Sequence, residues 1–116
     1  MIEKLEEKSL GETMGEIGRL LNENPAPIVE VNLVYQFNIT GIDAGPYQLH
    51  LQNGQAQVVQ ESSAPVDCTL EMSLANFRKF LTGSLSGTVA FMTGKLKIKG
   101  DITKALKLET ILKQYQ

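Results

Sequence analysis

Cysteine occurs once, as Cys68, histidine once, as His50, and tryptophan not at all. A single cysteine excludes an intramolecular disulfide and fits a reducing compartment. One histidine with one cysteine has no recognisable metal-ligand spacing, so no metal and no cofactor are expected. No apolar run approaches the ~20 residues that span a bilayer. The net charge of −2 provides no overall field to draw nucleic acid or an anionic membrane. The first eight residues include Glu3, Lys4, Glu6, Glu7 and Lys8 instead of an apolar signal core, and the last five lack a peroxisomal or retention signal. Cytoplasm is therefore the expected location. At 116 residues, with 42% apolar content, the chain is expected to fold as a single domain over 1–116.

What is present alternates between two periods. Leu10, Met14, Ile17 and Leu21 share one face of an expected helix over 2–22, although Gly11, Gly15 and Gly18 each cost ~1 kcal/mol relative to alanine there. The run Asn22 to Pro27 ends it. From Val29 to Ile39 the odd positions are apolar and the even ones mostly polar, which predicts a long strand with one buried face. Residues 47–52 and 55–60 are expected to pair as a hairpin through Asn53-Gly54. A loop over 61–66 leads to a fourth strand, 68–72, and up to this point the pattern reads as an antiparallel meander. Ser73 suits the N-cap of a helix over 74–82 that ends at Gly83. A short helix then runs to Met92 and Gly94. Lys95 to Lys99 alternates lysine with Leu96 and Ile98, as a charged edge strand or an anionic-headgroup patch would. Asp101 suits the cap of a last helix, 102–114, facing inward through Ala105, Leu108, Ile111, Leu112 and Tyr115.

Catalytic chemistry finds little support. His50 falls on the polar phase of its strand and Cys68 on the apolar phase of another, where it reads as a small core residue. Gly83, Gly87 and Gly94 are too widely spaced for a phosphate loop. The helical stripes holding Phe77, Phe80 and Phe91 fit either a plain core or a ligand-lined wall, and periodicity does not separate the two.

Certain residues nevertheless carry a resemblance. Asp67 to Ser73 with Phe77, then Gly83, Ala90-Phe91, Gly94-Lys95-Leu96-Lys97-Ile98-Lys99-Gly100-Asp101 and Ala105-Leu106-Lys107-Leu108 resemble the C-terminal signature of the sterol carrier protein 2 family. The similarity is strong over 66–112. It implies an α+β fold: a five-stranded, mostly antiparallel sheet covered on one face by helices, with a hydrophobic tunnel between them. It implies non-catalytic binding or transfer of a fatty acid, fatty acyl-CoA, phospholipid or sterol-like ligand. Phe77, Phe80, Leu81, Phe91, Met92, Leu106, Ile111 and Leu112 would line the tunnel, over a floor of Leu33, Phe37, Leu49 and Leu70. Gly83, Gly87 and Gly94 would be bends that let the roof lift. Ser84, Ser86-Gly87 and Met92 depart from the family pattern, so ligand identity does not carry over. A transient membrane contact and a homodimer are both compatible with this reading. The alternatives are an accessory or dimerisation module of the same fold, and an acyl-CoA-directed enzyme using His50 or Cys68.

Overall fold

A computed structural model of the protein describes residues 4–60 and 64–115. The expected alternation forms a strand, β1, but only over Leu33–Thr40. Pro25 and Pro27 set a 3-10 turn at Ala26–Ile28 instead, with the Val31 amide donating to the Ile28 carbonyl, so Val29 projects into solvent. Antiparallel β2, Gly45–Gln52, and β3, Gln55–Gln60, follow as expected. Asn53 and Gly54 close the hairpin with φ of 54° and 72°, the left-handed pair such a turn requires. Registers Leu33–Leu51–Ala56 and Tyr35–Leu49–Val58 place the apolar side chains on one face.

The meander stops there. The fourth strand, β4 at Cys68–Ser73, does not join β3; it pairs in parallel with β1, giving the order β3-β2-β1-β4-β5. The sheet is mixed, with one parallel pair. The connection from β3 brings Ala64 over the polar face, where the Gln48 side-chain amide donates to its carbonyl at 3.2 Å. This cover explains why Gln48, on the wet phase of the alternation, is buried. Residues 61–63 of the expected loop lie outside the described residues.

The last strand, β5 at Lys97–Gly100, begins two residues later than expected, because the Lys95 and Leu96 amides both donate to the Ala90 carbonyl and hold those residues in a turn. Gly100 has φ +99°, and a Cβ there would lie 2.8 Å from the Asp67 carbonyl oxygen. Only glycine fits beside that backbone.

Helices cover the apolar face. The expected first helix divides into a 3-10 turn at Leu5–Glu7 and α1 at Leu10–Glu23. Ser9 and Glu12 form a reciprocal capping box that fixes the start. Residues 2 and 3 of that expectation lie outside the described residues. Gly11 and Gly18 allow close approach: a Cβ on them would meet the Tyr47 hydroxyl and Val58 Cγ2, each at 3.2 Å. Gly15 has open space around it. Helix α2, Leu74–Thr82, is capped by Ser73 and closed by Gly83 at φ +81°. Helix α3, Gly87–Met92, and helix α4, Ile102–Lys113, are capped by Ser86 and Asp101. The buried apolar residues form one cluster between sheet and helices.

Candidate functional site

The floor and roof expected from the sequence meet in that layer, in part. Phe37, Leu49 and Leu70 are buried at the centre of the sheet, with Leu33 half-buried at one end. Above them, α2 buries Phe77, Phe80 and Leu81, and α4 buries Ile111 and Leu112. The Phe37 and Phe77 rings pack at a centroid distance of 5.5 Å and a tilt of 50°, within the range favoured by edge-on aromatic pairs. The other three expected lining residues point outward: Phe91 is 40% exposed, Met92 78% and Leu106 39%. Helical geometry explains Leu106. Ala105, Leu108, Ile111 and Leu112 fill the inward face of α4, so Leu106 falls on the opposite side with Ile102.

Among the described residues, buried apolar side chains from sheet and helices pack together in this layer. A hollow of about 80 Å³ lies where the three roof helices meet, bounded by Phe80, Gly83, Ser86, Glu109, Leu112 and Lys113. Small-molecule sites usually measure about 300–1,000 Å³. The larger hollows, about 610 Å³ beside Pro27 and Lys107 and about 450 Å³ beside Asn76 and Lys95, lie open at the surface.

Both roof helices continue from a strand and carry a side-chain cap, α4 following β5 through Asp101. Both are also bonded to distant residues, α2 through the Arg78 guanidinium donating to the Lys8 carbonyl at 2.8 Å. Helix α2 continues directly from β4, and its Ser73 cap accepts from the Asn76 amide at 3.1 Å. Helix α4 is held by side-chain bonds from elsewhere in the chain. The Tyr35 hydroxyl donates to the Lys104 carbonyl at 2.7 Å, and the Tyr115 hydroxyl donates to the Asn24 carbonyl at 2.6 Å. The Gly87 amide donates to Glu109 Oε2 at 2.8 Å, joining α3 to α4. Gly87 is not one of the bends: it lies in α3 without the positive φ found at Gly83 and Gly94, and a Cβ on it would come 2.9 Å from Glu109 Oε1. It is a close packing point. Burial pushes the Tyr35 phenol well above its usual range, so it remains a neutral donor through ordinary pH.

Tyr35 and Glu109 are the contributors that sequence pattern did not expose. The Tyr35 signal was present, since an inward-facing tyrosine must find a hydroxyl partner. The Glu109 signal was absent, because its partner lies 22 residues away.

The candidate catalytic pair is separated by the sheet. Cys68 packs with the apolar face, and burial raises its thiol pKa, the opposite of what an activated thiolate needs. His50 lies on the polar face, paired with Val34 and Gln57 and hydrogen-bonded through Nε2 to Gln48 Oε1 at 2.8 Å. Among the described residues no cluster of three His, Cys, Asp or Glu side chains could hold a metal, and no helix is long and apolar enough to cross a membrane.

Similarity to known proteins follows this architecture. The hydroxysteroid dehydrogenase-like protein 2 of Xenopus tropicalis is 42% identical over 106 residues, covering 90% of this chain and 25% of that protein. The chain thus spans about a quarter of the length of that curated relative. The apo structure of sterol carrier protein 2 from Yarrowia lipolytica superposes with a TM-score of 0.74 at 28% identity, covering 90% of this chain and 89% of that one. The palmitated SCP2L2 of Aedes aegypti superposes with a TM-score of 0.67 at 25% identity, covering 90% and 95%. The model of the SCP-2 sterol transfer family matches residues 15–113, from within α1 to the end of α4, and the chain belongs to that family.

Proposed function

We propose that this domain binds the apolar chain of a lipid between its sheet and its roof helices and carries it without catalysis. The ligand class is an acyl lipid: a fatty acid, fatty acyl-CoA or phospholipid, with sterol-like molecules as the other candidates. The observation that carries this reading is the apolar layer itself, continuous from Phe37 and Leu70 to Phe77 and Leu112. The palmitated form of a similarly folded insect protein supports it.

Burial is the driving force. A chain of about sixteen carbons gains on the order of 12 kcal/mol on leaving water, at ~0.8 kcal/mol per methylene. Opening opposes this. Freeing α4 from Tyr35 and from Gly87 costs on the order of 1–3 kcal/mol for each bond, together with the packing of Ile111 and Leu112. The gain exceeds the bond terms, so ligand and the packed side chains compete for one space. Nine of the twelve sequence-derived positions contribute to it: Leu33, Phe37, Leu49, Leu70, Phe77, Phe80, Leu81, Ile111 and Leu112. Titration of a fluorescent fatty acid, with mass spectrometry of the gently purified protein, tests the proposal. Saturable one-to-one binding displaced by unlabelled palmitate is expected. No binding, together with a stable lipid-free chain, favours the accessory-module reading.

A further inference from the structure

One cation in the roof is only half satisfied. Arg78 lies on α2 beside the fully buried Phe77 and Leu81 and is itself half-buried. Its Nη2 donates to the Lys8 carbonyl at 2.8 Å, while its Nε is buried and has no hydrogen-bond partner. No carboxylate pairs with it among the described residues. The two carboxylates that bond just beyond Lys8 serve the start of α1 instead: Glu12 Oε1 accepts from the Ser9 amide and Asp43 Oδ2 from the Leu10 amide. A guanidinium withdrawn from water is unfavourable unless each buried donor finds an acceptor. Nε and Nη2 form one edge of the guanidinium plane, and the two oxygens of a carboxylate match that edge as a bidentate pair. The Lys8 carbonyl supplies one neutral oxygen where the edge can take two anionic ones. The segment that carries this carbonyl is a strap with a single 3-10 turn, anchored by buried Leu5. Lys4 precedes the turn in the left-handed region at φ 53°, a conformation that costs a lysine more than a glycine.

We propose that Arg78 anchors the ligand headgroup: the carboxylate of a single-chain fatty acid takes the Nε–Nη2 edge in place of the Lys8 carbonyl, and the acyl chain runs from there past Phe77 and Leu81 into the apolar layer. The proposal rests on the lipid-carrier reading and narrows it, from any acyl lipid to one with a free carboxylate. The other cations of the roof helices suit this role less well. Lys79, Lys107 and Lys113 are exposed, and Lys104 pairs with Asp67 at 3.7 Å. On α2, Leu74, Arg78 and Leu81 follow one another at helical spacing, so the guanidinium stands at the border of the layer. Lys8 is only half-buried, and its displaced carbonyl turns to water.

The test is competition between palmitate and hexadecanol, which share a chain length and differ in headgroup. Each displaces a neutral fluorescent acyl ester from the full chain at about pH 8, where a free carboxylate is ionised. Wild type is expected to bind palmitate about tenfold more tightly than hexadecanol, the gain of a charge-assisted bond over a neutral one. Arg78→Gln should weaken palmitate about tenfold and change hexadecanol by less than about twofold. Lys79→Gln, an exposed cation one residue on, should leave both within about twofold of wild type. A second readout needs no variant: the carboxyl of ¹³C-labelled palmitate bound to wild type should titrate below the ordinary carboxylate range, because the guanidinium favours its charged form. Titration above that range places the headgroup away from Arg78 and overturns the proposal. Equal wild-type affinity for palmitate and hexadecanol, or equal loss of both in Arg78→Gln, overturns the headgroup assignment and leaves the carrier standing. Binding of neither ligand rejects the carrier, and this proposal with it.

Discussion

Helices α2 and α4 cover the same sheet but differ on their outward faces. Helix α2 buries Phe77, Phe80 and Leu81 on one face, shows polar residues on the other, and has a serine cap at one end and a left-handed glycine at the other. Its Phe77 packs, tilted, against Phe37 on the central strand. Helix α4 is apolar on both sides, inward through Leu108, Ile111 and Leu112 and outward through Ile102 and Leu106. Its attachments include single hydrogen bonds donated by Tyr35 and by the Gly87 amide. The contrast lies on the outward face, polar on α2 and partly apolar on α4.

The largest expected effect is on α2. Phe77→Ala removes a fully buried ring and should destabilise the fold by about 3–5 kcal/mol in urea unfolding. A loss below about 1 kcal/mol would show that the inward face of α2 is loosely packed. Tyr35→Phe should cost about 1 kcal/mol, because it leaves a helix carbonyl without its extra donor, and it should speed fatty-acid association in stopped flow. Tyr35 also sets an alkaline limit. Its folded pKa lies above the unfolded value of 10.0, so its protonated form favours the fold. That contribution is complete below about pH 10 and is lost as pH rises toward the raised value. The unfolding midpoint should fall above about pH 10 in the wild type, and Tyr35→Phe should remove part of that fall. Glu109→Gln retains an acceptor for the Gly87 amide but removes its charge, and should cost at most about 1 kcal/mol. Met92→Ser is the smallest: within about 0.5 kcal/mol of wild type in stability, as expected for an exposed position.

The readable parts of the fold were those governed by local chemistry. Asn53-Gly54 dictated its hairpin, Ser73 and Asp101 their caps, and Gly83 its left-handed end, because each effect acts over a few residues. The parallel pairing of β4 with β1 was not readable. It depends on where the connection after β3 lands, and the Gln48–Ala64 bond that marks the crossing links a strand to a loop with no shared period. The start of β1 was misplaced for a related reason. Val29 and Val31 continue the alternation, yet Pro25 and Pro27 had already committed the backbone to a 3-10 turn. Within the candidate site, Phe77, Leu81, Ile111 and Leu112 were legible as inward stripes. Phe91, Met92 and Leu106 were not, because family resemblance does not report which side of a doubly apolar helix turns inward.

The central claim is that lipid occupies the layer between sheet and roof. Isotope-filtered nuclear Overhauser contacts from ¹³C-labelled palmitate to the protein test it most directly. The account predicts contacts to Phe37, Leu70, Phe77, Ile111 and Leu112, with loss of the Tyr35 hydroxyl bond to α4. Contacts confined to Phe91, Met92 and Leu106, with the Phe37–Phe77 pair undisturbed, would contradict it.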